Sequence, residues 1–132
     1  MRSLVARDIK QRSVIIDTNA LMIPCQFGVD VFSELKEMGY NKFLVPEEVV
    51  KELNKLYVHA KGKDKTAASI ALSLLDRCDI VEAEGNPDDV IIKIAEERGA
   101  AVVTNDIELK RRLKEKKITT VYLRQKKRLI VG

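Results

Sequence analysis

Short apolar runs alternate along the chain with stretches in which apolar residues recur at helical spacing. Ser13-Val14-Ile15-Ile16 is a continuous apolar run ending at Asp17, as expected of a strand buried on both faces. From Asp30 to Met38, Val31, Phe32, Leu35 and Met38 share one helical face, and Gly39 supplies a stop. Lys42 to Val45 predicts a second strand. Pro46 then opens a helix with Val49, Val50, Leu53, Leu56 and Tyr57 on its buried side. Lys61 to Lys65 is expected as a solvated loop before a helix over Thr66 to Leu75. Ile80-Val81 predicts a third strand, and Asn86-Pro87 starts a helix that runs through Arg98 and ends at Gly99. Ala101 to Thr104 predicts a fourth strand, Ile107 to Lys116 a helix and Thr119 to Leu123 a fifth strand, with Leu129 to Val131 a short edge strand.

Strands apolar on both faces and spaced by helices predict a parallel sheet covered on both sides. The expected fold is a three-layer α/β/α sandwich on a central parallel sheet of about five strands. In such sheets ligands bind beyond the carboxyl ends of the strands, where strand order reverses. The residues just after the first and fourth strands therefore matter most.

At 132 residues the chain is expected to form one domain over 1–132, with a basic lead over 1–12 and a basic end over 109–132. It is 45% hydrophobic and 33% charged, which excludes a disordered or low-complexity chain. No apolar run approaches the roughly 18 residues of a membrane span, and Met1 to Arg12 lacks an apolar signal core. A cytoplasmic setting without membrane partners is expected. Cys25 and Cys78 lack a CxxC partner, and they are expected as buried apolar residues. His59, the single histidine, has no partner at metal-ligand spacing, and the glycines show no phosphate-binding pattern. The two ends hold fourteen basic and two acidic residues; the middle holds ten basic and eighteen acidic. An acidic centre between basic ends suits a protein that holds a cation beside a polyanion. A solvated surface rich in Lys and Glu has the same signature.

Asp17-Thr18-Asn19 and Thr104-Asn105-Asp106 place carboxylates and small polar groups directly after buried strands. Asp88 and Asp89 fall in a first helical turn, and Glu52 borders an apolar stripe. Each alone reads equally as a cap, a dipole partner or a surface acid. Brought together, they would repel one another unless a cation neutralised them. An oxygen-only set without Cys or His suits Mg²⁺ or Mn²⁺, which can activate water and clamp a phosphodiester.

Val14 to Ala20, Val45 to Leu53, Asp88 to Ala95 and Val102 to Asp106 resemble, in order, the four signature segments of PIN-domain ribonucleases. The likeness spans about Ser13 to Leu123. It is greatest to single-domain archaeal PIN proteins related to the eukaryotic small-subunit ribosomal RNA processing nuclease, through Gln26 to Asp30 and the basic C-terminal end. Toxin nucleases of toxin–antitoxin pairs come next. The resemblance implies a Mg²⁺- or Mn²⁺-dependent endoribonuclease with Asp17, Asp88 and Asp106 as metal ligands and Glu52 acting through water. Asp89 is a substitute for Asp88, and Asn19, Thr104 and Asn105 match supporting polar positions. RNA is the implied partner. A homodimer, a ribosome-assembly particle and an antitoxin are further partners of such proteins, and a non-catalytic RNA-binding assembly factor is the rival reading. A haloacid-dehalogenase-like phosphatase would carry a second Asp where Asn19 stands. With three Phe, three Tyr and no Trp, RNA contact is expected mainly through phosphates, from Lys110, Arg111, Lys114, Arg124, Lys126, Lys127 and Arg128.

Overall fold

A computed structural model describes residues 11–132; most of the basic N-terminal lead lies outside the described residues. Six strands form one sheet in the order β3-β2-β1-β4-β5-β6. They are β1 (Ser13–Ile16), β2 (Lys42–Pro46), β3 (Asp79–Val81), β4 (Ala101–Val103), β5 (Thr120–Arg124) and β6 (Arg128–Val131). The first five are parallel, and β6 runs antiparallel to β5 with Arg124 opposite Arg128. A two-sided apolar strand can sit only inside such a sheet. Accordingly, Val14, Ile15 and Ile16 are completely buried, and Ile15 lies between Leu44 and Val102 in register.

The pleat divides the core into two. On one face Val14, Ile16, Phe43, Val45 and Val103 pack against α1 (Thr18–Phe27), α2 (Val31–Glu37), α3 (Glu47–His59) and α4 (Gly62–Ser73). On the other, Ile15, Leu44 and Val102 meet α5 (Pro87–Arg98) and α6 (Ile107–Glu115), chiefly through Ile91, Ala95, Leu109 and Leu113. Three layers result, with six strands where about five were expected, β6 being the predicted edge strand. Among the described residues, no helix is long and apolar enough to cross a membrane.

Two elements depart from the sequence reading. Helix α1 went unpredicted because Ala20 to Ile23 is an unbroken apolar run and Pro24 removes a helical N–H. It forms because those four residues are all buried, so tertiary packing replaces amphipathic patterning. Gly28 closes it in the left-handed region (φ 67°), donating its N–H to the Pro24 carbonyl at 3.0 Å. The segment expected as a loop over Lys61 to Lys65 is instead the start of α4, and a 3₁₀ turn over Leu74–Arg77 ends that region. Its helicity rests on Ala67, Ala68 and Ala71 buried against α3 and α1, which the exposed lysines mask in the sequence. Cys25 and Cys78 are half-buried free thiols rather than fully buried ones, and burial pushes the Cys78 thiol up to about 12.

Strand order reverses between β1 and β4, which lie side by side at the centre. Their carboxyl ends therefore deliver Asp17 and Thr104 to one place.

Candidate active site

Asp17 leaves β1 as the N-cap of α1 and is only 7% exposed. Its Oδ1 accepts the Thr18 N–H at 2.8 Å, and its Oδ2 accepts the Thr104 hydroxyl at 2.8 Å and the Asn19 amide at 3.2 Å. Thr104, fully buried at the end of β4, also accepts the Asp106 N–H at 3.1 Å on the same hydroxyl oxygen. One hydroxyl thus joins the two acids nearest the switch point. Asp106 is exposed and caps α6, its Oδ1 accepting the Leu109 N–H at 2.9 Å. The capping reading of Asp17 and Asp106 is therefore realised. A capping carboxylate keeps lone pairs for a ligand.

Asn19 and Asn105 tie this corner together. The Asn105 N–H donates to Asn19 Oδ1 at 3.1 Å, and Asn105 Oδ1 accepts the Leu123 N–H at 2.8 Å. Asn19 thus orients Asp17, whereas the Asn105 side-chain oxygen is spent on β5.

The acids sense one another. Burial raises the Asp17 carboxyl above its ordinary value, and the charges of Asp88 and Asp106 raise it further, against hydrogen bonds from Thr104 and Thr18. Burial also raises Asp88, with Asp106 the next cause and the Arg112 guanidinium opposing. Glu52, half-buried on α3, is raised by desolvation and then by Asp17 and Asp88. The four candidate acids therefore share one electrostatic field. Asp89 stands apart: its exposed carboxylate pairs with Arg112 at 2.7 Å, across to α6. Of the two neighbouring aspartates, Asp88 is the one that lies in the field of Asp17 and Asp106.

Raised proton affinity among oxygen-only groups is what a divalent cation relieves. The Thr18 hydroxyl, buried beside Asp17, faces Glu52, and its hydrogen bond works against the raised proton affinity of that carboxyl. Among the described residues, no group of three or more Asp, Glu, His or Cys side chains is placed to hold a metal ion by itself. The oxygen donors present suit a cation such as Mg²⁺, which keeps several waters and takes only one or two carboxylates from the protein. Thr18 and Arg112 were not singled out in the sequence. Thr18 was flanked by more conspicuous residues, and the reach of Arg112 to Asp89 spans two helices.

The basic residues fall into three groups. Arg111 is held between Glu108 and Glu115 on its own helix, which neutralises much of its charge. Lys110 lies 3.9 Å over the Tyr122 ring, with Lys114 one turn further along α6. Arg124, Lys126, Lys127 and Arg128 surround the β5–β6 turn, where Gln125 and Lys126 hold left-handed conformations (φ 53° and 58°). The Lys126 ammonium sits 5.9 Å from the Phe27 ring centroid.

A family model described as a PIN-like domain matches residues 14–126. The chain belongs to the PIN-like domain family. Ribonuclease VapC9 of Archaeoglobus fulgidus is 41% identical over 125 residues, covering 95% of this chain and 93% of that protein. Ribonuclease VapC4 of Methanocaldococcus jannaschii is 31% identical over 120 residues, covering 86% and 92%. Among solved structures, the PIN domain endonuclease Utp24 superposes with a TM-score of 0.73 at 25% identity, covering 91% of this chain and 90% of that one. The PIN-like fold thus extends over the sheet and both helical layers described above, and the relatives include both kinds of protein that the sequence resembles.

Proposed function

We propose that this protein is a divalent-metal-dependent endoribonuclease, acting in ribosomal RNA processing or RNA turnover in the cytoplasm as a single PIN-like unit. The observation that carries the reading is the shared field of Asp17, Asp88, Asp106 and Glu52 at the carboxyl ends of β1 and β4. The ribonuclease relatives, matched over nearly their whole length, support it. Asp17, Asp88 and Asp106 would hold Mg²⁺ or Mn²⁺, with Glu52 acting through water, and the bound ion would supply charge neutralisation at the phosphate and a more acidic water. The chain's own part is positioning. Thr104 and Asn19 fix the orientation of Asp17, and the Leu109 N–H of α6 fixes Asp106 by donating to its capping carboxylate. The Arg112 ion pair draws Asp89 to the α6 side and leaves Asp88 to the cluster.

Cleavage of a structured RNA with Mn²⁺ tests the reading directly. The parent protein cuts, Asp88→Asn loses most of that activity, and Asp89→Asn, which breaks only an exposed ion pair, keeps it. Equal loss in both variants, or a parent that never cuts, defeats the assignment.

The hairpin bases hold flanking RNA in this reading. Replacing Lys126, Lys127 and Arg128 together by Gln weakens RNA binding and lowers its log–log salt slope by roughly 0.7 per lost contact to a single strand. The loss falls on KM rather than kcat, because these side chains contribute equally to substrate and transition state. Unchanged affinity and slope in the triple variant would make the hairpin ordinary solvated surface.

A second reading, a toxin nuclease held by an antitoxin partner, is favoured by the VapC names of both curated relatives. It shares the chemistry and differs in consequence: expression without the partner arrests growth. A homodimer is compatible with either reading, and gel filtration with light scattering measures it.

A further inference from the structure

The residue after Asp106 is an aliphatic side chain left almost entirely in water. Ile107, in the first turn of α6, is 82% exposed, the most exposed of the large apolar residues described. It forms one wall of a groove of about 380 Å³ between α6 and β5, with Lys110, Lys114, Thr120 and Tyr122 among the other lining residues. That volume lies within the roughly 300–1,000 Å³ of ordinary ligand sites. Tyr122 is half-buried and carries the Lys110 ammonium over its ring. Because Arg111 is occupied by Glu108 and Glu115, the acids of this helix are already paired. Lys110 and Lys114 have no acidic partner among the described residues, and they stand about 6 and 12 Å along the helix axis from Asp106. An apolar surface beside two unpaired cations, beginning at the residue next to Asp106, matches the base and phosphates of a single nucleic-acid strand.

We infer that this groove seats a nucleobase flanking the cleavage position of a single-stranded RNA, with Ile107 and Tyr122 contacting the base and Lys110 and Lys114 the adjoining phosphates. The inference rests on the ribonuclease reading, and it adds a base contact to binding otherwise carried by phosphates.

The test compares fluorescently labelled hexauridine with an abasic strand of equal length and charge, titrated in EDTA so that nothing is cut. The parent is expected to prefer the base-bearing strand by at least about five-fold, the lower end of what one stacked base contributes. Ile107→Ser removes that preference and leaves abasic binding in place. The double variant Lys110→Gln, Lys114→Gln weakens both strands together and lowers the salt slope. Ile107 is exposed, so the serine variant keeps its fold, which a thermal melt verifies, and Ile107→Leu restores the preference. Equal affinity of the parent for the two strands overturns the proposal, as it would if the groove took a peptide, and so does a preference that survives Ile107→Ser. The same preparations, given Mn²⁺, separate the two readings. Base preference without cleavage defeats the nuclease and leaves the groove, whereas cleavage without base preference defeats the groove alone.

Discussion

Asp17→Asn is expected to lower RNA cleavage by at least about a hundred-fold while leaving the metal-free protein as stable as its parent or more so. Losing a group that merely orients a metal ligand typically costs 10–100-fold, so losing a ligand itself costs more. The stability half follows from proton linkage. Asp17, Asp88 and Glu52 hold their protons more tightly folded than unfolded. Between the ordinary carboxylate range and those raised values, the native state therefore binds more protons than the unfolded chain. Stability without metal falls as pH rises through that window, and the whole penalty is present above it. Asparagine removes the share of Asp17. It still accepts the Thr18 N–H as a cap, and the Thr104 hydroxyl can turn to accept from the new amide. The Asn19 contact at 3.2 Å is the one lost, worth about 1 kcal/mol. Thermal melts in EDTA between pH 4 and 8 should show a flatter pH dependence in the variant. A variant that melts lower in EDTA yet cleaves like the parent would leave Asp17 a structural cap and nothing more.

Millimolar Mn²⁺ or Mg²⁺ should raise the melting temperature of the parent by roughly 10 °C. A ligand that binds only the native state at a hundred times its Kd adds about 2.7 kcal/mol, and each kcal/mol moves a domain of this size by several degrees. The gain should shrink sharply in Asp17→Asn, whose cluster has lost a charge, and KCl at the same ionic strength controls for general screening. Identical melting curves with and without metal would remove the cation from the account and leave the four carboxylates as an unrelieved liability of the fold. Because the measurement needs no substrate, it stands even while the RNA target is unknown.

Much of this architecture is legible in the chain. Val14 to Ile16 and Ala101 to Val103 have no polar face, so they can only be central strands, and the helical spacing around Leu53 and Ile91 requires something apolar to cover. Pro87 and Gly99 mark the ends of α5 by backbone chemistry alone, the glycine taking up φ 63° where other residues are strained. Helix α1 is the counterexample. Its pattern is not amphipathic and it contains a proline, so its interior points away from helix, and burial between the sheet and its neighbours, with Asp17 and Gly28 capping its ends, stabilises it. The start of α4 escaped for the opposite reason: its exposed lysines resemble a loop, and the alanines that anchor it are too small to mark a stripe.

The sequence by itself determined which residue types stand after β1 and β4, and hence that Asp17 and Asp106 meet once the strands lie side by side. Their positions follow from buried strands ending in polar residues, a property of neighbours along the chain. What lies between those segments was decided by the tertiary structure alone. Asp88 and Asp89 are both first-turn acids, and in the sequence only the family resemblance puts Asp88 first. Arg112, on a different helix, pairs with Asp89 at 2.7 Å and leaves Asp88 in the field of Asp106. The double role of the Thr104 hydroxyl, the pairing of Arg111 with its own helix and the exposure of Ile107 beside the cluster are likewise contacts between distant or differently turned side chains. Periodicity specifies which face of an element is buried. Which side chain is met across the gap depends on the packing of whole layers, and that is set only when the chain has folded.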